Sequence, residues 1–132
     1  MKYTLIIQSA PIDHQSSHTA LRFARTLLQA GHSIERLFFY GAGVHNATSH
    51  SVAPQDELNL PEQWQQFVSQ HSLDAVVCIA AAVRRGVINS AESSRYSKTG
   101  DNLADGYDLS GLGQLVASAV ESDRVITFGA GS

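Results

Sequence analysis

The chain has 132 residues, 43% of them hydrophobic, which supplies one core and leaves too little length for two independent domains. Nine Lys and Arg against twelve Asp and Glu give a formal charge of −3 without a basic block that could track a phosphate backbone, so direct nucleic-acid contact is not expected. The apolar run after Lys2 is only about five residues, too short for a signal-peptide core or a membrane span, and the single cysteine rules out an internal disulfide; together these predict a soluble cytoplasmic protein.

Residues 3–8 read as a buried strand. Ser9-Ala-Pro-Ile-Asp-His-Gln forms a turn-rich loop leading to a helix capped near Ser16 or Ser17. Ala20, Leu21, Phe23, Ala24, Leu27 and Leu28 recur at helical spacing, and Gly31 with His32 supplies a stop. Residues 33–40 form a second strand, whereas residues 41–59 have no periodicity and read as a long loop, either functional or mobile. A helix begins at Leu60-Pro61-Glu62, where proline suits the first turn, with Trp64, Phe67 and Val68 as its apolar stripe. Residues 73–80 are a third strand, residues 89–98 a helix and residues 99–106 a loop. A helix over residues 110–122, capped by Ser110, turns Leu112, Leu115, Val116, Ala119 and Val120 inward. A last strand spans residues 124–128, and residues 129–132 form a flexible end. This alternation predicts one α/β domain with a mostly parallel sheet and right-handed crossovers. Loops following Gln8, Tyr40 and Cys78, at the carboxyl ends of strands, are then expected to converge on a crevice.

Cys78 lies in Asp74-Ala-Val-Val-Cys-Ile-Ala-Ala-Ala-Val-Arg-Arg-Gly86, where an apolar strand gives way to two arginines. It is either a small buried hydrophobe or a reactive sulfur whose anion Arg84 and Arg85 help to stabilise. His45, in the glycine-bearing segment Gly41-Ala-Gly-Val-His-Asn46, is either a base near that thiol or a solvated loop residue. His14 and His18 have the spacing of two metal ligands on one helix face, but no glutamate lies between them, and helix-entry roles account for both. Gly41-Ala-Gly43 and Gly111-Leu-Gly113 complete neither a dinucleotide nor a Walker pattern, and no Gly-x-Ser-x-Gly elbow occurs. Trp64 and Phe67 read as core or interface anchors.

Several stretches together carry a family likeness: Phe38-Phe-Tyr-Gly-Ala-Gly-Val-His-Asn-Ala47, Cys78-Ile-Ala-Ala-Ala-Val-Arg-Arg-Gly-Val87, Asn102-Leu, Leu109-Ser-Gly-Leu-Gly113 and Asp123-Arg-Val125. Through them the chain resembles the DsrE-like sulfurtransferases, most closely the TusD branch, over nearly its whole length. The resemblance implies a single flavodoxin-like domain over residues 1–132 that carries sulfur as a persulfide on Cys78, with no cofactor and no metal. It also implies assembly with TusB-like and TusC-like subunits as a dimer of heterotrimers, a TusA-like sulfur donor and a TusE-like acceptor. The implied destination is 2-thiouridine at the tRNA wobble position, with sulfur oxidation in the DsrE branch, or a non-catalytic structural subunit of such a complex in which Cys78 stays inert, as the alternatives. The loop after the first strand is poorer in glycine than the family pattern, and the tail runs past the last strand.

Overall fold

The computed structural model describes residues 1–129, so the flexible end expected at residues 129–132 lies, beyond Gly129, outside the described residues. Five strands, β1 (Lys2–Ile7), β2 (Ser33–Phe39), β3 (Ala75–Cys78), β4 (Tyr107–Ser110) and β5 (Arg124–Phe128), form one sheet in the order β4-β3-β2-β1-β5. Every neighbouring pair is parallel. The connections are α1 (Ser16–Gln29), α2 (Leu60–His71), α3 (Ile79–Arg84) with α4 (Ser90–Arg95), and α5 (Gly113–Glu121). The chain steps from β1 to β4 in one direction and then returns across the sheet to place β5 beyond β1. With right-handed crossovers, that reversal puts α5 on the face opposite α1 and α2.

Between the sheet and the α1–α2 layer lies the larger part of the core. Leu5, Ile7, Leu37, Phe39 and Val77 meet Ala20, Leu21 and Ala24 of α1 and Trp64 and Val68 of α2, all buried. Trp64 stands edge-on to Phe39 at 5.3 Å between ring centroids. A buried polar chain crosses this layer: Trp64 Nε1 donates to Ser17 Oγ at 2.9 Å, and Ser17 Oγ donates to Asn46 Oδ1 at 2.6 Å. Asn46 Nδ2 in turn reaches the carbonyls of Ser9 and Gly43, at 2.9 Å each. Since Ser17 serves this network, it is not a cap; α1 begins after Gln15 without a side-chain capping bond. Its other end follows expectation, with Gly31 at φ +88° and the His32 N–H closing onto the Leu27 carbonyl.

Four further features differ from the sequence reading. Residues 41–59 are not all loop: Gly41–Ala47 is a 3₁₀ segment with Gly43, Val44, Asn46 and Ala47 buried. A seven-residue segment of period three presents no amphipathic template, which is why periodicity missed it. Strand β3 stops at Cys78 rather than running to residue 80, because the Ile-Ala-Ala-Ala sequence that follows is already helical. Tyr107–Ser110 is a short edge strand, so Ser110 closes β4 instead of capping a helix, and α5 starts after Leu112 with no capping side chain. Finally, α5 is turned around. Leu112, Val116 and Val120 are exposed, and Leu115 alone of the expected inward set packs against the core. The sheet below α5 presents Arg36 and Thr4, and these bind the polar column Gln114, Ser118 and Ser122. Arg36 Nη1 donates to Gln114 O and Oε1 and to Ser118 Oγ, between 2.8 and 2.9 Å, and Thr4 Oγ1 lies 2.6 Å from Ser122 Oγ. The guanidinium of half-buried Arg36 is shared between Asp74 and this polar column, and a polar floor of this kind is met by the polar side of the helix.

Candidate active site

Cys78 is the last residue of β3 and the N-cap position of α3, with φ −61° and ψ 118° and 3% of its surface exposed. Side chains alternate along a strand, so with Val77 paired beside Phe39 on the α1–α2 face, Cys78 faces the α5 side. There it lines a cavity of about 420 Å³. Tyr40 and Gly41, from the end of β2, form one wall; Arg84 at the end of α3 and Arg85, its C-cap, form another; Gly111 and Leu112, after β4, form the third. The expected convergence therefore holds for the loops after Tyr40 and Cys78. The loop after Gln8 contributes no lining residue, since Ser9 is tied to Asn46. Its place is taken by the segment after β4, a strand absent from the sequence reading.

The cationic wall is held from below. After α3 the chain reverses through Gly86 at φ +76°, with Arg85 N and Val87 N both donating to the Ala82 carbonyl. Asn102 fastens this turn: its Oδ1 accepts from Ile88 N and its Nδ2 donates to Gly86 O, both at 2.8 Å. Both arginines are exposed, and among the described residues neither forms an ion pair. Their charge is thus free to act on an anion at the cavity mouth.

His45 sits in the 3₁₀ segment, half-buried, and does not line the cavity. His14 is exposed and His18 half-buried at the start of α1, and no group of three or more His, Cys, Asp or Glu able to hold a metal occurs among the described residues. A larger cleft of about 810 Å³ opens at the other end of the sheet, beside His32, Phe67, His71 and Asp74, but it holds no thiol. Tyr40, Gly111 and Leu112 are the cavity-lining residues that sequence reasoning missed, whereas Gly41 belongs to the loop expected there. The position of Tyr40 at the carboxyl end of β2 was the one available signal.

A model of the DsrE/DsrF-like family matches residues 1–128. The chain belongs to the DsrE/DsrF-like family. Among relatives of this DsrE/DsrF-like chain, a TusD homologue from Pseudomonas aeruginosa is 47% identical, with 98% of each protein covered. A protein of Allochromatium vinosum that carries the name DsrE is 43% identical, over 98% of this chain and 99% of its own. Sulfurtransferase TusD of Sodalis glossinidius is 41% identical, over 97% and 98%. The ychN protein of E. coli superposes with a TM-score of 0.74 at 20% identity, over 97% of this chain and all of its own, and so shares the fold. The TusD relatives are named sulfurtransferases, and this family member is a sulfurtransferase. No helix among its described residues is long and apolar enough to cross a membrane.

Proposed function

We propose that the protein is a sulfur-relay subunit that carries sulfane sulfur as a persulfide on Cys78. The observation that carries this reading is the chain's one thiol lining a cavity that Arg84 and Arg85 also line, neither of them in an ion pair among the described residues. The Cys78 thiolate attacks the outer sulfur of a donor persulfide. The donor's S–S bond breaks, its inner sulfur leaves as a thiolate, and Cys78 becomes the persulfide. An acceptor thiolate then attacks that outer sulfur and returns Cys78 as thiolate. Each step exchanges one S–S bond for another, so no external oxidant, metal or cofactor is consumed. Arg84 and Arg85 favour the anions that arrive and leave, while near-complete burial of Cys78 shields the carried sulfur from oxidants between transfers.

In this reading the protein works in the cytoplasm, a TusA-like protein is the donor and a TusE-like protein the acceptor, TusB-like and TusC-like chains complete a dimer of heterotrimers, and the sulfur ends in wobble 2-thiouridine. Likeness to TusD chains supports that branch, and the DsrE-named relative supports sulfur oxidation as the second reading. Loading with a persulfide donor followed by intact-mass measurement tests the chemistry: wild type gains one sulfur atom and Cys78→Ser gains none, and equal loading of both ends the proposal. Cells lacking their TusD homologue test the branch, since restoration of 2-thiouridine by this chain supports the tRNA route and failure favours the other.

A further inference from the structure

Helix α3 is a six-residue bar with Cys78 at its N-cap and Arg84 and Arg85 at its last position and C-cap, so about 9 Å of helix axis lies between the thiol end and the arginine end. So short a helix is not stable by itself in water, and its setting depends on the ties around it. Strand β3 grips the thiol end through its pairing with β2 and β4. At the arginine end, the Gly86 N–H donates to the Val83 carbonyl at 3.2 Å and the Val87 N–H to the Ala82 carbonyl at 2.9 Å, the Schellman stop that Gly86 at φ +76° permits. That stop closes the helix on its own backbone. Asn102, from the loop before β4, ties it to the rest of the site. Beyond the side-chain bonds to Ile88 N and Gly86 O, its N–H donates to the Ile88 carbonyl at 3.0 Å. Its own carbonyl accepts from the Ser49 N–H at 2.7 Å and from Ser49 Oγ at 3.1 Å. Two residues on, the Ala104 N–H donates to the Ala47 carbonyl at 2.8 Å. One residue thus joins the turn behind the arginines to the chain leaving the 3₁₀ segment, whose first residue, Gly41, lines the same cavity.

We infer that Asn102 is a positioning residue for the sulfur site: it fixes where Arg84 and Arg85 stand relative to Cys78, and through them the handling of anionic reactants. The inference rests on the relay reading above and names the residue that sets the geometry of its charged wall. The chemistry of the side chain selects it. A primary amide carries a donor and an acceptor side by side, so it can hold the Gly86 carbonyl and the Ile88 N–H of one turn at once, whereas a carboxylate lacks the donor and an aliphatic chain lacks both. Asn102 is half-buried and stands outside the hydrophobic core, while the turn it grips leads directly into the two cations of the cavity lining. Its bonds therefore serve the placement of those cations more than the packing of the domain.

The test is alkylation of Cys78 in the full chain, at low salt, by two reagents of similar size and different charge, neutral iodoacetamide and anionic iodoacetate. Emission of buried Trp64 reports that each variant is native. In wild type the arginines favour iodoacetate, and the ratio of its rate to that of iodoacetamide is expected to fall about threefold both in Asn102→Ala and in Arg84→Gln with Arg85→Gln. Adding Asn102→Ala to the arginine variant is expected to lower the ratio no further, since a residue that acts through the arginines has nothing left to act on. Asn102→Gln, uncharged and one methylene longer, is expected to shift the ratio in the same direction, and it carries the test should Asn102→Ala fail to fold. A purely structural clasp would loosen the cover of Cys78 and speed both reagents alike, and that result overturns the inference. So does an unchanged ratio, a wild-type ratio no higher than that of the arginine variant, or a further fall in the triple variant. Sulfur loading from a small-molecule persulfide is read separately. Its failure would strike the carrier proposal, while the alkylation ratio, which involves no carried sulfur, still decides the role of Asn102.

Discussion

In the proposed relay two demands meet at Cys78, because a sulfur that is 3% exposed must be reached by another protein's sulfur. Access in that proposal is through the cavity of about 420 Å³ that Cys78 lines. The same proposal gives Arg84 and Arg85, which form no ion pair among the described residues, the role of guiding partners, and Arg84→Gln with Arg85→Gln is expected to slow transfer to a protein acceptor roughly tenfold while loading from a neutral small donor changes less. Equal slowing of both reactions would deny them a role in partner approach. Tyr107 is the opposite case, a buried group with no partner. Its hydroxyl is the one buried side-chain polar atom among the described residues without a hydrogen bond, and burial pushes its ionisation well above the ordinary tyrosine range. Tyr107→Phe is expected to leave stability unchanged or raise it by up to about 1 kcal/mol in urea unfolding. The sign of the pH effect follows from the same burial. The folded state keeps this proton after the unfolded chain begins to lose it near pH 10, so the unfolded state binds fewer protons and stability falls as pH rises above that point. Wild type should therefore lose more stability than Tyr107→Phe between about pH 9 and 11, and parallel curves would refute the assignment.

Among the elements, the 3₁₀ segment is the least tolerant. A Cβ at Gly43 would lie 2.0 Å from the Ile7 carbonyl oxygen, within a β1 that is paired on both sides and cannot retreat. Gly43→Ala is expected to cost about 3 kcal/mol, read as a lower urea midpoint at constant slope, and a loss under about 0.5 kcal/mol would show that the contact relaxes. This segment also shows where sequence reading ran out. Helices α1 and α2 were legible because a two-layer core imposes one apolar stripe on each, down to Trp64, Phe67 and Val68. The same rule misplaced α5, since it assumes an apolar floor and the floor here carries Arg36 and Thr4. At the site, Cys78 and its arginines are neighbours in sequence and could be read together. Tyr40, Gly41, Gly111 and Leu112 reach them only through the order of β2, β3 and β4, and β4 is too short and too mixed to announce itself.

For the molecule as a whole, the formal charge of −3 gives no net attraction to an acidic partner, so guidance of such a partner to Cys78 would depend on the local field of Arg84 and Arg85. Such a field fades as the Debye length falls from about 10 Å at 0.1 M salt to about 3 Å at 1 M. Transfer to a protein acceptor should slow over that range, and a salt-independent rate would mean that contact rather than charge guides it. The doubly wound sheet also separates two readouts. The single tryptophan is fully buried against Phe39 on the α1–α2 side, and Cys78 opens on the reverse side. Indole emission therefore follows the folding of the whole domain and stays blind to what the thiol carries. An optical signal and a mass signal can be recorded from one sample, the first certifying that every loaded or unloaded molecule counted by the second was native.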